Sequence, residues 1–336
     1  MIDQVPLRNY LEKTLGKPAD SFSFTKFEGG QSNPTYLVSS DTTKVVLRKR
    51  PAGVILPSAH AVDREFRVQQ ALAGSDIPVS RMISYCDDTS VLPEAFYLMD
   101  FIPGRTFNHV QLPEVAADER GTLYDEMVDV AAKLHSVDWK AAGLEGFGRA
   151  EGYLERQVRR WTAQYEASRT SEDDGPMSKI ADWLREKMPL ESPVSIVHGD
   201  YRLGNLIYAP DKNEVAAVLD WELATIGHPW ADFAYTCHFY HMGDKDGPQF
   251  ALEVLPAGIP NETEALARYC KTAGISEIPR WPYYLVFALF RSAAILAGVY
   301  SRALQGNAAD AHAREVGSRY RNVAKKAWHI AQTSKL

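Results

Sequence analysis

The chain has 336 residues, 45% of them hydrophobic, and a formal net charge of −6 at pH 7. A chain of this length favours two lobes or domains over one simple core. The mildly acidic charge argues against a general affinity for nucleic acid or for an anionic membrane. The three cysteines, Cys86, Cys237 and Cys270, form neither a CxxC pair nor a disulfide framework. This usage favours a reducing compartment and predicts a cytoplasmic protein.

The N-terminal part contains short β-branched or aromatic runs. They are SFSFTKF (21–27), PTYLV (34–38), KVVLRKR (44–50) and FYLMDF (96–101). Residues 59–73 follow a helical pattern, so this part predicts a small antiparallel sheet with one helix packed on it. The first fifteen residues carry early acids and no continuous apolar run, and therefore do not resemble a signal peptide.

Helical periodicity dominates from about Glu114 onward. The predicted helices cover residues 114–135, 151–168, 177–187, 229–241, 262–273, 281–304 and 308–331. Short strands are predicted where Ile196 and Val197 end one apolar run, at GNLIY (204–208) and at AAVLD (216–220). The most apolar stretch, residues 283–300, is interrupted by Arg291, which favours a buried helix over a membrane span.

Pro103 and Gly104 end the last strand-like run and mark the predicted boundary. The chain is therefore predicted to be an α+β protein with two lobes. Residues 1–102 would form a small antiparallel-sheet lobe, and residues 103–336 would form a helical lobe. A cleft between two such lobes is a natural site for a ligand.

Polar side chains stand at the ends of the predicted strands in the second lobe. His198, Asp200 and Asn205 have the spacing H-x-D-x4-N, and Asp220 ends the next strand. This spacing fits the kinase catalytic loop, and Asp220 fits the metal-binding Asp that follows it. Asp200 would accept the proton of an attacking hydroxyl, while Asn205 and Asp220 would hold Mg²⁺. The alternative is an Asp and an Asn that cap a turn.

HGDYRLGNL together with VLDWELATIGHPWADFAY resembles the aminoglycoside phosphotransferase-like kinases, which share the protein-kinase fold. The two segments are most similar to a branch that includes kinase-like domains joined to acyl-CoA dehydrogenases. Further matches, such as GGQSNPTYLV and FRSAAILAGVYSRALQGNA, extend the resemblance over nearly the whole chain. The resemblance implies a bilobal protein-kinase-like fold, use of ATP and Mg²⁺, and transfer of phosphate to a small molecule.

The same resemblance implies roles for residues of the first lobe. Ser32 and Asn33 fall in the loop that covers the phosphates, and Arg48 stands where the family pattern has Lys. Glu65 would pair with Arg48. Hinge residues would bind adenine, through the backbone of Asp100 and Ile102 and the side chain of Met99. Plainer alternatives remain for these segments: a hairpin turn at 28–33, a solvated helix acid at Glu65, and an edge strand at 98–104.

Two residues are predicted to support the catalytic loop. His198 would hold the loop by hydrogen bonds. Asp232 matches a family acid that orients the loop, with a charge at a helix N-terminus as the alternative.

The acceptor is less constrained by the sequence. Arg156, Arg159 and Arg160 lie on one predicted helix and would bind an anionic acceptor such as a hydroxyacyl-CoA, or else form a solvated face. The branch resemblance favours the first reading and suggests an association with acyl-CoA metabolism. The alternatives are a nucleotide-binding pseudokinase that acts as an interaction module and a kinase of a hydroxylated amine. A protein kinase ranks last because no A-P-E segment follows Asp220.

Overall fold

The computed structural model describes residues 2–27, 33–53, 61–170, 175–190, 193–306 and 312–336. It has the predicted α+β class, with an antiparallel-sheet lobe followed by a helical lobe. This arrangement agrees with the two lobes predicted from the sequence.

The first lobe is built on a five-stranded antiparallel sheet in the order β1-β2-β3-β5-β4. Its strands are β1 (Ser23–Lys26), β2 (Thr35–Ser39), β3 (Lys44–Lys49), β4 (Met82–Cys86) and β5 (Phe96–Asp100). Alternate side chains point to opposite faces of the sheet. Val45 and Leu47 belong to one apolar cluster, whereas Val46 belongs to another on the opposite face.

A helix covers each face of this sheet. Helix α1 (Val5–Leu15) buries Leu7 and Leu11 in the same cluster as Val45 and Leu47. Helix α2 (Val62–Leu72) buries Val62 against the other face. Because Arg48 lies two residues after Val46 on β3, its side chain points toward α2.

The second lobe is mainly helical. Its helices are α3 (Ala117–Ser136), α4 (Tyr153–Ser168), α5 (Met177–Glu186), α6 (Pro229–Cys237), α7 (Glu262–Ala273), α8 (Trp281–Leu304), α9 (Ala313–Ser318) and α10 (Tyr320–Thr333). Helix α8 is long and apolar enough to cross a membrane, but 78% of its most apolar window is buried inside the protein. It packs against α4, α6, α9 and α10 as the central helix of the lobe.

Two short antiparallel ribbons carry the polar motif. Strand β6 (Ser195–Val197) pairs with β9 (Thr225–Gly227), and β7 (Leu206–Tyr208) pairs with β8 (Val215–Val218). The motif therefore occupies the connections between β6 and β7 and after β8.

The segment after β5 is attached to the second lobe. Arg105 and Tyr208 exchange two backbone hydrogen bonds of 2.8 Å. Gly104 lies so close to β7 that a Cβ at this position would stand 2.2 Å from the Tyr208 carbonyl oxygen. Only glycine therefore fits at position 104 without a shift of the backbone.

Some elements differ from the sequence predictions. Helix α1 and strands β4 and β9 were not predicted, and the last predicted helix is divided at Arg319 into α9 and α10. β4 lacks a clean alternation because its pairing with β5 shifts register between Met82 and Ser84. The other predicted helices and strands are present, with ends displaced by a few residues.

Candidate active site

The backbone before Asp200 is held by a buried carboxylate. Asp232, on α6, accepts hydrogen bonds from the N–H groups of His198 and Gly199, both at 2.8 Å. His135 Nε2 lies 3.2 Å from the same carboxylate. Burial by itself raises the pKa of Asp232, but the hydrogen bond and charge of His135 lower it below its usual value overall. The carboxylate thus fixes the chain two residues before the predicted base.

The His198 ring joins the loop to the strand that precedes Asp220. Its Nδ1 accepts from the Asp200 N–H at 3.2 Å, so its Nε2 donates to the Leu219 carbonyl at 2.8 Å. The ring also lies 4.8 Å from the Trp221 ring, centroid to centroid. The geometry therefore agrees with the supporting role predicted for His198.

The Asp200 side chain is partly accessible to solvent, with 23% of it exposed. Its Oδ2 accepts from Asn205 Nδ2 at 2.9 Å and lies 3.4 Å from Arg202 Nε. Gly199 just before it has φ 85°, and a Cβ there would come within 2.8 Å of the Leu223 carbonyl oxygen. The tight left-handed turn aims Asp200 out of the loop.

Asp220 adopts a left-handed backbone conformation with φ 63°. Such a conformation is uncommon for a residue other than glycine. Leu219 N–H donates to the Asn205 carbonyl at 2.8 Å, which keeps the two predicted metal ligands adjacent. Asp220 Oδ1 accepts from Arg48 Nη2 of the first lobe at 2.7 Å.

Arg48 also forms the predicted ion pair with Glu65. Its Nε lies 2.7 Å from Glu65 Oε2, and Glu65 also accepts from Tyr97 Oη at 2.9 Å. Burial of Arg48 by itself lowers its pKa, but the Glu65 and Asp220 carboxylates raise it overall. Burial raises the pKa of Glu65, an effect that Arg48 opposes. Lys49 points away and contacts Glu94 instead, as alternation predicts.

Asn33 is predicted to donate to the phosphates, and that contact stays a prediction. Asn33 is buried, and its Nδ2 donates to Glu65 Oε1 at 2.5 Å. Because the amide turns toward the Arg48–Glu65 pair, it is not directed into the cleft. Ser32, the other predicted phosphate-loop residue, lies outside the described residues.

A cleft of about 780 Å³ lies between the lobes, and its lining includes Arg48, Asn205 and Asp220. The hinge residues predicted to contact adenine, Met99, Asp100 and Ile102, line the same cleft. The Asp100 N–H donates to Arg81 within the sheet, whereas the Ile102 N–H has no hydrogen-bond partner among the described residues. Ile102 therefore offers a donor for an adenine ring.

The predicted metal ligands supply oxygen donors of the kind that Mg²⁺ prefers. Since Asn205 Nδ2 donates to Asp200, its Oδ1 is the atom able to face a cation. The described residues contain no cluster of three His, Cys, Asp or Glu side chains arranged for a metal ion. The site therefore suits a cation that takes most of its ligands from water and substrate phosphates.

The three arginines predicted on α4 do not act as one group. The Arg156 guanidinium donates to the Arg149 and Glu151 carbonyls, which precede the helix. Arg160 lies over the Trp161 ring, at 5.2 Å from its centroid. Arg159 is exposed and has no hydrogen bond or ion pair with any residue the structure describes. None of the three is in the lining of the interlobe cleft, so a shared acceptor contact stays a prediction.

Two further arginines reach the catalytic loop and were not predicted. Arg202 lies beside Asp200 and lines the cleft. Its position inside the H-x-D-x4-N motif was the available signal. Arg291, on α8, donates from Nη2 to the Gly199 carbonyl at 2.5 Å. The signal for Arg291 was a charge in the middle of the most apolar run of the sequence.

Comparisons with known proteins agree with this geometry. The model of the phosphotransferase enzyme family matches residues 23–269. The chain belongs to the phosphotransferase enzyme family. It is 41% identical over 98% of its length to mouse acyl-CoA dehydrogenase family member 10, of which it spans only 31%. A crystal structure from Ralstonia eutropha, described as a candidate aminoglycoside phosphotransferase, has 38% identity and a TM-score of 0.89, with 99% of each chain covered.

The same fold occurs in a more distant solved structure. A mutant of aminoglycoside phosphotransferase APH(4)-Ia was solved in a ternary complex with AMP-PNP and hygromycin B. It has a TM-score of 0.63 and 14% identity, covering 98% of each chain. At this identity the likeness concerns the fold alone.

Proposed function

We propose that this protein transfers the γ-phosphoryl group of ATP to a hydroxyl of a small anionic molecule. The observation that carries the proposal is the grouping of Arg48, Asn205 and Asp220 in the lining of one cleft, with Asp200 bonded to Asn205. Fold likeness to a structure holding AMP-PNP supports the choice of nucleotide.

In the proposed reaction, the acceptor oxygen bonds to the γ-phosphorus while the bond to the β–γ bridging oxygen breaks, and ADP leaves. Asp200 takes the proton of the acceptor hydroxyl. Arg48 binds phosphate oxygens while Glu65 holds its side chain in place. Asn205 and Asp220 would hold Mg²⁺, which neutralises charge on the phosphates when bound.

The proposed acceptor is a hydroxyacyl-CoA or another hydroxylated acid. Relatives named acyl-CoA dehydrogenase family member 10 and 11 support a link to acyl-CoA metabolism, because this chain aligns with part of each. Basic side chains near the catalytic loop, including Arg202 and Arg291, also favour an anion over a polycationic aminoglycoside.

One observation favours a second candidate, a nucleotide-binding pseudokinase. Arg48 pairs with both Glu65 and Asp220, so one predicted metal ligand is already engaged across the cleft. In an active enzyme, nucleotide and metal must compete with this contact. A protein that bound ATP without Mg²⁺ and without turnover would fit the second candidate.

The test is a phosphate-transfer screen. The protein is incubated with ATP, Mg²⁺ and pooled hydroxylated acids, acyl-CoAs, sugars and amino alcohols, and products heavier by one phosphate are detected by mass spectrometry. The Asp200→Asn variant serves as the matched control. A phosphorylated product that appears with the parent protein and not with the variant supports the proposal. Nucleotide binding with no product from any pool favours the pseudokinase.

A further inference from the structure

Two guanidinium groups share a single indole ring near the catalytic loop. Arg160, on α4, lies 5.2 Å from the Trp161 ring centroid, and Arg291, on α8, lies 5.3 Å from it. Within the described part of the chain, no carboxylate stands within 4 Å of either guanidinium. Two cations on one ring with no acidic partner raise the local potential and favour a bound anion.

Arg291 is the unusual member of this pair. Its residue is only 7% exposed, and its Nε is buried without a hydrogen-bond partner. It does donate to the Gly199 carbonyl, and it lies 4.1 Å from the Tyr235 ring centroid. Rings and one carbonyl offset part of the cost of a buried charge, but they supply no counter-charge. An anion from outside the protein would supply it.

The position of Arg291 relates this charge to the predicted base. Gly199, whose carbonyl Arg291 binds, immediately precedes Asp200. The charges acting on the Tyr235 hydroxyl include those of Arg291 and Asp200. The neighbouring acid Asp232 is already occupied by two N–H groups and His135. Its side chain forms no ion pair with either arginine among the described residues.

The charges of the same two arginines also act on Tyr153, at the start of α4. Burial raises its pKa to about 12, and the charges acting on its hydroxyl include those of Arg291 and Arg160. Arg291 and Arg160 therefore act on the same hydroxyl from different helices, together with the Asp232 carboxylate.

We propose that Arg160 and Arg291, which both contact the Trp161 ring, bind an oxyanion of the phosphate acceptor and so place its hydroxyl at Asp200. The proposal rests on the proposed function and adds the residues that select the acceptor. The oxyanion has two sources. In a free hydroxy acid it is the carboxylate, and in the CoA thioester of that acid it is a CoA phosphate.

The first experiment compares acceptors that carry the same hydroxyl. They are 4-hydroxybutyrate, its CoA thioester, its N-acetylcysteamine thioester, which has neither anion, and 4-amino-1-butanol. A lower KM for the free acid identifies the carboxylate as the bound group, and a lower KM for the CoA thioester alone identifies the phosphates. Equal KM values for the free acid and the two thioesters, or a preference for the amino alcohol, overturn the proposal.

The second experiment removes the charges one at a time. Arg160→Gln changes an exposed side chain and should raise the KM of the preferred acid or CoA thioester about 10- to 100-fold, with kcat and the KM of ATP nearly unchanged. Arg169→Gln is the matched control, since Arg169 caps the same helix, is exposed and pairs with Glu166. Its KM for the acceptor should equal that of the parent protein.

Arg291→Lys keeps the buried positive charge but removes the planar guanidinium group. It therefore tests whether the two-pronged hydrogen bonding of Arg to an oxyanion is needed. It should raise the acceptor KM about 10-fold and should also lower kcat, because the Gly199 contact is weakened. If Arg160→Gln and Arg291→Lys both leave the acceptor KM unchanged while Asp200→Asn still abolishes transfer, only this inference fails. If Asp200→Asn retains full transfer, the proposed function fails instead.

Discussion

Arg48 and Asp220 are 172 positions apart in the chain, yet Arg48 Nη2 lies 2.7 Å from Asp220 Oδ1. The contact joins β3 of the first lobe to the turn after β8 of the second. It places the guanidinium of Arg48, which is predicted to bind phosphate, directly on a predicted metal ligand. Occupation of the cleft by a nucleotide and a cation therefore has to rearrange or share this ion pair.

The first prediction concerns Asp200 as the base. Asp200→Asn should lower kcat by about 10²- to 10⁴-fold, the usual loss when a general base is removed. Asparagine can still bond Asn205 and leaves the cleft intact, so the KM of ATP should hardly change. Steady-state kinetics with the best acceptor of the screen measures both constants. Near-parental turnover would remove Asp200 from the mechanism.

The second prediction concerns the cation. ATP with Mg²⁺ at 100 times its Kd should increase the free energy of unfolding by about 2.7 kcal/mol, and ATP with EDTA by less. Asp220→Ala should abolish the difference between the two conditions. The measurement is chemical unfolding of both proteins with and without Mg²⁺. An unchanged difference would mean that the cation is held by other residues.

The third prediction separates the structural and nucleotide roles of Arg48. Arg48→Ala leaves the buried Glu65 carboxylate without its cation, which should cost about 3–5 kcal/mol of unfolding free energy. It should also raise the KM of ATP. The matched control is the Arg48→Ala, Glu65→Gln double variant, which should recover stability and keep the raised KM. Recovery of both properties would show that Arg48 acts only through the fold.

The fourth prediction concerns acid lability. Burial lowers the pKa of His228 to about 3 and that of His238 to about 4, against about 6.5 in the unfolded chain. Below pH 6.5 the unfolded state therefore binds protons that the native state does not. Each histidine should lower the free energy of unfolding by about 1.4 kcal/mol per pH unit between pH 6 and pH 4.5.

The measurement for this effect is denaturant unfolding at several pH values within that window. His228→Gln and His238→Gln should each reduce the slope of unfolding free energy against pH by about 1.4 kcal/mol per pH unit, the contribution of one histidine. The raised pKa of Glu65 acts in the opposite direction, since a carboxyl that protonates first in the native state adds stability as the pH falls. The comparison between variants cancels that contribution. Parallel slopes for parent and variants would contradict the prediction.

Local patterns in the sequence were sufficient for much of the fold. Alternation on β3 correctly separated Arg48 from Lys49, and the H-x-D-x4-N spacing brought Asp200 next to Asn205. Each of these depends on residues close together in the chain. Strand β4 was missed because its register shift breaks the alternation. The signal for α1 was present but not used, since Leu7 and Leu11 have helical spacing.

Contacts between residues far apart in the chain could not be predicted from the sequence. Asn33 was predicted to bind phosphate, but nothing nearby in the chain shows that its amide turns to Glu65 on α2. The arginine cluster was assigned to α4 from helical spacing alone. Pairing Arg160 with Arg291 required the packing of α4 on α8, which only the folded chain provides.

Gly104 and Arg105 have a consequence for movement. These residues are attached to Tyr208 by backbone contacts and so travel with the second lobe, although the chain has only just left β5. Any rotation of one lobe against the other must then be absorbed by the few residues between β5 and Gly104, which include Ile102 of the cleft lining. A nucleotide that binds the Ile102 N–H would contact the hinge between the lobes. Its affinity would then be coupled to the angle between the lobes.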